Sequence, residues 1–252
     1  MRALITGASS GIGREMAKVL AGMGYDLILV ARSRDQLESL QRELPTASEI
    51  QVLDLSDIEA CFRLYDIVSP GGLDILINNA GFGHFGKFLD TDLNIELNLI
   101  DLNIRAVHIL TKLFLKDFAA RDSGMIMNVA SMAAFTAGPL MSSYYASKNY
   151  VLRLTQAINE EFRQSRQNVH VCALCPGPVK TGFNHRAGTS LKTYGLSSVM
   201  VARYAIRQMM RGRTVIIPGL SMRILRFFMR LAPDRLMMAG AYSVQKLKGK
   251  PS

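Results

Sequence analysis

The chain reads as an α/β protein: one domain built on an open, doubly wound, mostly parallel sheet. Three observations predict this. Short, almost wholly apolar runs alternate with segments of helical spacing, which is the pattern of a parallel sheet buried on both faces. A glycine-rich turn separates the first run from the first helix. The 252 residues are 49% hydrophobic and 20% charged, with no proline- or glycine-rich linker to divide them.

Taken in order, "RALIT" is the first strand and "REMAKVLAGMGY" the first helix. "DLILVAR" is the second strand, and Leu37, Leu40 and Leu44 give a helix stopped by Pro45. "EIQVLDL" is the third strand, "DIEACFRLYDIV" a helix and "LDILINNAG" the fourth strand. A long helix is expected over about 93–120, then strand "GMIMNVAS", a second long helix over about 143–166 and strand "NVHVCALCPG". A loop and helix fill 181–212 before a last strand, "RTVIIPG". Right-handed crossovers turn this alternation into a doubly wound sheet.

Bulk properties narrow the function classes. The first strand begins at residue 2, so no signal peptide is expected. No apolar run reaches the roughly 18 residues of a membrane span. Three cysteines, Cys61, Cys172 and Cys175, make no disulfide framework, and a cytoplasmic location is the expectation. The net charge of +10 resides in residues 202–252, which carry eleven Lys/Arg and one acid, Asp234.

The turn Thr6-Gly7-Ala8-Ser9-Ser10-Gly11-Ile12-Gly13 approaches the dinucleotide fingerprint. Gly7 lets the chain leave the strand sharply, Gly11 lets backbone approach a pyrophosphate, and Gly13 lets helix and sheet pack closely. Ser9 and Ser10 offer hydroxyls, and the helix N-terminus faces the anion. The second strand ends in Ala31-Arg32, with no acid before Asp35. A carboxylate there would hold ribose hydroxyls, whereas an arginine pairs with a 2′-phosphate, so NADP(H) is expected over NAD(H).

In "SSYYASKNY" (142–150), Tyr144 and Lys148 stand four apart, on one helix face. Tyr145 is one step off that spacing. An ammonium beside a phenol is expected to lower the phenol pKa toward neutrality. Ser131 follows strand "MIMNVA", at the strand end where doubly wound sheets keep their ligands.

Together with "NNAG" (78–81), Asn103 in "LNIRA" and "PGPVKT" (176–181), this ordered set resembles the short-chain dehydrogenase/reductase family from residue 2 to about 220. The resemblance implies a Rossmann-type domain over residues 1–220 and a basic extension over 221–252. It implies Tyr144 as acid/base, with Tyr145 a packing neighbour. Lys148 would hold the nicotinamide ribose and lower the Tyr144 pKa. Ser131 would bind the substrate oxygen, and Asn103 would support a proton relay. Asp54, followed by Leu55, is the residue expected against adenine, with Asn79, Ala80 and Gly81 beside the adenine ribose. Pro176, Gly177, Val179 and Thr181 are expected around the nicotinamide. A homo-dimer or homo-tetramer paired through the two long helices is also implied.

The activity that follows is NADP(H)-dependent hydride transfer to or from a fairly apolar ketone, aldehyde or secondary alcohol, with no metal. An NAD-dependent alcohol or hydroxysteroid dehydrogenase is one rival, and a non-catalytic nucleotide-sensing or scaffold protein is the other. Phe82, Phe85, Phe88, Met132, Phe135, Met141 and Phe183 suggest an apolar pocket or plain core. Cys172 and Cys175, three apart in a strand, point to opposite faces. His84, His108, His170 and His185 are scattered and lack metal-ligand spacing. In the tail, Arg223, Arg226 and Arg230 share a helix face beside apolar residues and ahead of Pro233. This segment would rest on anionic lipid, cover the pocket or pack on a subunit, or attract an anionic substrate carrier. Nucleic acid is not expected.

Overall fold

The computed structural model describes residues 1–183, 187 and 195–246; His185, most of the 182–200 loop, and Lys248 and Lys250 lie outside them. Seven parallel strands form the main sheet in the order β3-β2-β1-β4-β5-β6-β9. They are β1 (Arg2–Thr6), β2 (Asp26–Ala31), β3 (Ser48–Val52), β4 (Ile75–Asn78), β5 (Gly124–Val129), β6 (Val169–Leu174) and β9 (Val215–Ile216). The order reverses between β1 and β4, and this switch point opens a crevice at the carboxyl ends of the strands.

Alternate residues of each strand feed opposite faces, which is why the runs are apolar throughout. Ile5, Leu27 and Leu29 pack with Met16 and Leu20 of α1 (Gly11–Ala21) and with Leu37 of α2 (Arg34–Gln41). Leu4, Ile28 and Leu76 face the other way, onto Leu64 of α3 (Ile58–Val68). The expected long helix is three pieces: α4 (Leu93–Ile100), one π-helical segment (Asp101–Ala106) and α5 (Val107–Ala120). Phe114 and Phe118 of α5 complete the second face. The second long helix is continuous, α6 (Ser142–Ser165), and buries Val151 and Leu152 against Ala130 and Ala173.

A two-stranded sheet of β7 (Val179–Lys180) and β8 (Leu196–Ser197) leads into α7 (Ser198–Met209), where the Ser197 hydroxyl accepts the Met200 N–H. Patterning does not predict this sheet, since its two-residue strands are too short to show alternation. After β9 come α8 (Leu220–Met229) and α9 (Asp234–Lys246). No residue of α8 is buried. It sits on the domain through Met222, whose sulfur lies 2.6 Å from where a Cβ on Gly177 would be, and through Arg226, 4.0 Å above the Phe135 ring.

A buried polar chain crosses the layer beneath the crevice. Asn78 Nδ2 donates to Asn128 Oδ1 (2.9 Å) and to Thr111 Oγ1 (3.1 Å). Asn128 Nδ2 donates to Thr155 Oγ1 at 3.0 Å, which ties β4, β5, α5 and α6 together. Truncating Asn128 takes one partner each from the buried Asn78, Thr111 and Thr155 groups. We expect Asn128→Ala to lower unfolding free energy by about 3 kcal/mol in urea titrations. A loss below about 1 kcal/mol would show that the chain is replaceable by packing.

Candidate active site

The crevice is a cleft of about 600 Å³. One end is made of backbone. Gly7 (φ +64°) and Gly11 (φ +60°) adopt left-handed conformations that other residues rarely take. The turn is braced from β4: Asn79 Nδ2 donates to Thr6 O (2.9 Å) and Gly7 O (3.1 Å). The Thr6 hydroxyl accepts the N–H groups of Asn79 (2.9 Å) and Ala80 (3.0 Å). A Cβ on Gly13 would strike Asn79 Nδ2 and come within 2.5 Å of Gly7 O. Gly13 therefore makes room for the brace, not only for the sheet, and it lies behind the wall.

Farther along this end, Ser9, Ser10, Ile12, Arg32, Asp54, Leu55, Asn79 and Ala80 line the cleft. Asp54 Oδ1 accepts from Ser56 N (3.0 Å) and Ser56 Oγ (2.8 Å). Partial burial raises the Asp54 pKa, but these bonds and the Arg32 charge outweigh it and hold the carboxyl below its usual value. Arg32 is 72% exposed, with Nη1 3.5 Å from Asp54 Oδ2. A pair this open and this long restrains the guanidinium little.

The other end is made of side chains. Ser131, Tyr144, Lys148, Gly81, Pro176, Gly177, Val179 and Thr181 share its wall. The Ser131 hydroxyl bonds to the Tyr144 phenol and also accepts Ala133 N at 3.1 Å, so the turn Met132–Phe135 aims it. Lys148 is 4% exposed and donates from Nζ to Val129 O at 2.8 Å. Asn103 is fully buried within the π-helical segment and does not reach the wall. Its Oδ1 accepts Phe82 N (3.1 Å), and its Nδ2 donates to Phe82 O (2.9 Å) and Ser147 Oγ (3.1 Å). A Cβ on Gly81 would lie 2.7 Å from Asn103 Oδ1 and 3.3 Å from Lys148 Nζ, so this glycine keeps the space between them open.

The expected lowering of the Tyr144 pKa is absent in the chain by itself. Burial pushes the phenol up to about 12 despite the Ser131 hydrogen bond. Burial also pulls the Lys148 ammonium down to about 8. Both shifts have one cause: the site withholds water from any charged form.

Phe82, Met132, Met141 and Phe183 line the cleft, and the Tyr144 and Phe183 rings lie 5.5 Å apart. Phe85 packs behind them, whereas Phe88 is 65% exposed. Sequence reasoning missed Thr6, Gln36 and Gln245. Gln36 and Gln245 are on the wall, and Gln245 Nε2 donates to the Tyr145 hydroxyl at 2.6 Å. Tyr145 is thus more than a packing neighbour. Cys172 and Cys175 fall in separate core clusters, and among the described residues no His/Cys/Asp/Glu group is arranged to hold a metal.

The lysine sets a sign for pH dependence. Folded Lys148 keeps its proton only below about pH 8, whereas the unfolded side chain keeps it to about 10.5. Between those values the unfolded chain binds the extra proton, so rising pH favours folding by about 1.4 kcal/mol per unit. The buried thiols, whose pKa values are raised, oppose this above pH 9. The lysine is therefore read by difference. In urea titrations, the stability of wild type relative to Lys148→Met should grow from pH 8 to 10, and a constant difference contradicts the burial.

The model of the short-chain dehydrogenase family matches residues 1–192. The chain is 37% identical over 186 residues to oxidoreductase UcpA of Salmonella typhimurium, covering 71% of this chain and 69% of that one. A solved short-chain dehydrogenase from Sphingobium yanoikuyae, in complex with NADPH, shares 32% identity at a TM-score of 0.81, over 87% of this chain and 88% of its own. A bulky-bulky ketone specific alcohol dehydrogenase from Comamonas testosteroni shares 28% identity at a TM-score of 0.77, over 87% and 86%. With its sheet order, its braced glycine turn and these relatives, the chain belongs to the short-chain dehydrogenase/reductase family of oxidoreductases.

Proposed function

We propose that the chain is an NADP(H)-dependent oxidoreductase acting on fairly apolar ketones, aldehydes or secondary alcohols. The observation that carries this reading is the shared wall of Ser131, Tyr144 and Lys148, in one cleft with the glycine turn. The residues fit a dinucleotide. Gly7 and Gly11 leave backbone open to a pyrophosphate, Asp54, Leu55 and Ala80 flank an adenosine, and the loosely held Arg32 is free to take a 2′-phosphate. The cofactor, when bound, supplies or accepts the hydride.

The remaining work falls to the chain. Ser131 and Tyr144 donate hydrogen bonds to the substrate oxygen, and Tyr144 delivers its proton as negative charge builds there. Burial keeps the Tyr144 phenol protonated across the neutral range, so the proton that reduction consumes is in place. Lys148, with an ammonium near 8, holds ribose hydroxyls and offsets phenolate charge. Asn103 acts through Phe82 and Ser147, positioning the backbone beside Gly81 and Lys148. Phe82, Met132, Met141 and Phe183 exclude water from the reacting end.

Three features extend the proposal. Residues 1–220 form the catalytic domain, with 221–252 appended. Leu93, Ile95 and Leu97 on α4 and Tyr150 on α6 are exposed, which supports a homo-oligomer paired through those helices. Among the described residues no helix is long and apolar enough to cross a membrane. Exposed Leu220, Ile224, Phe227 and Phe228 flank the arginines of α8, which supports a cytoplasmic protein touching anionic lipid there.

NADPH consumption across a carbonyl panel tests the chemistry. Tyr144→Phe should lower kcat at least 100-fold while leaving the NADPH Kd within a few-fold. Arg32→Ala should weaken NADPH about tenfold or more and leave NADH unchanged. A wild-type enzyme that binds NADH as tightly as NADPH overturns the cofactor assignment, and no turnover by wild type on any carbonyl overturns the activity. For the lipid contact, full-length protein should pellet with phosphatidylserine vesicles at low salt, and a chain ending at residue 220 should not. Equal recovery of both in the supernatant removes the membrane proposal.

A further inference from the structure

Among the described residues, three buried side-chain polar atoms lack a hydrogen-bond partner: Asn78 Oδ1, His170 Nε2 and Gln245 Oε1. Of these residues only Gln245 lines the cleft. We propose that Gln245 is a specificity-determining residue, whose free amide oxygen takes a hydroxyl on the substrate, remote from the carbonyl that Tyr144 serves. This deepens the activity proposed above and rests on it.

The placement of Gln245 is unusual for its helix. It is the one buried residue of α9, while Leu236, Met238, Tyr242 and Val244 are all exposed. A helix that docks for packing buries its apolar face; this one buries an amide fully and leaves Leu236, Met238, Tyr242 and Val244 outside. Gln245 is 2% exposed, and an amide oxygen buried without a partner is unfavourable. The amide is held from its other side, where Nε2 donates to Tyr145 OH at 2.6 Å.

That bond fixes the amide next to the reacting end. The Tyr145 ring lies 6.1 Å from the Tyr144 ring, nearly perpendicular to it. Tyr145 is itself pinned, because a Cβ on Gly138 would overlap its ring. A substrate oxygen at Tyr144 of α6 and a second polar group at Gln245 of α9 would therefore be read side by side, because Gln245 is bonded to the residue next to Tyr144. Apolar side chains make up much of the wall around them, so the recognised molecule is a fairly apolar carbonyl compound with one further hydroxyl. A hydroxyl both donates and accepts, so it satisfies Gln245 while keeping its own lone pairs available to Tyr145.

The test uses full-length protein and methyl ketones from pentanone to dodecanone, each with and without a terminal hydroxyl. At the best-fitting length, wild type should prefer the hydroxylated ketone by about tenfold or more in kcat/KM. Gln245→Met should bring that ratio close to one, and Gln245→Glu, which keeps an acceptor, should retain it. A purely structural role for Gln245 would change both ketones alike and leave the ratio intact. An unchanged ratio in Gln245→Met, or no hydroxyl preference at any length in wild type, overturns the proposal. The same ratio is read in Kd values for the protein with NADP+. If wild type turns over nothing yet binds hydroxylated ketones in a Gln245-dependent way, the assigned activity fails and the recognition site stands.

Discussion

The constraint on which the site depends is the burial of a lysine amine. Lys148 reaches the Val129 carbonyl at the end of β5 and is otherwise walled by Gly81, Asn103 and the strand ends. A solvated ammonium would need no such arrangement. An enclosed one must find a fixed acceptor, and the carboxyl end of a parallel strand offers a carbonyl free of further ladder pairing. Because the same burial acts on Tyr144, the two groups are held neutral-leaning together, the phenol at about 12 and the ammonium at about 8. Charge introduced at this end of the cleft meets little competing water, and this gives a weak proton donor its leverage.

The two ends of the cleft solve opposite problems. At the turn, function requires that side chains be missing, and rigidity comes instead from Thr6 and Asn79, which sew β1 to the end of β4. Such a cradle presents backbone N–H groups without flexible parts. At the reacting end, function requires side chains in fixed positions. There the fold uses hydrogen bonds one layer back: Ala133 N on Ser131, Val129 O on Lys148, and the two-way clasp of Asn103 with Phe82. The Asn78–Asn128–Thr155 chain lies beneath both and joins the strands to α6.

Much of this was legible in the chain, for physical reasons. Strands buried on both faces leave unbroken apolar runs, so every strand of the main sheet announced itself, and the glycines at 7 and 11 marked positions that positive φ requires. Tyr144 and Lys148 were legible because helix geometry converts a spacing of four into a shared face. The π-helical segment was not legible. One extra residue per turn over Asp101–Ala106 hardly disturbs an apolar period, yet it lies where Asn103 turns inward. The Tyr144 pKa departs from the expectation because spacing is silent on burial, which raises it, and on the direction of the Lys148 amine, which goes to Val129 O. Gln245 left no trace, since patterning finds apolar faces and this helix buries a polar one.

The C-terminal segment is tied to the cleft by Gln245. Its basic, amphipathic pattern pointed to a surface, and α8 does keep its large apolar residues exposed. Yet Met222 lies against Gly177 and Gln245 closes on Tyr145, both on the cleft wall, and Arg226 covers Phe135, so the segment meets the domain beside the cleft. Gln245 is the one fully buried residue of the two helices, and a segment attached this way is held less tightly than a core. The same residues that face outward for a lipid or subunit therefore belong to a unit that also completes the substrate end.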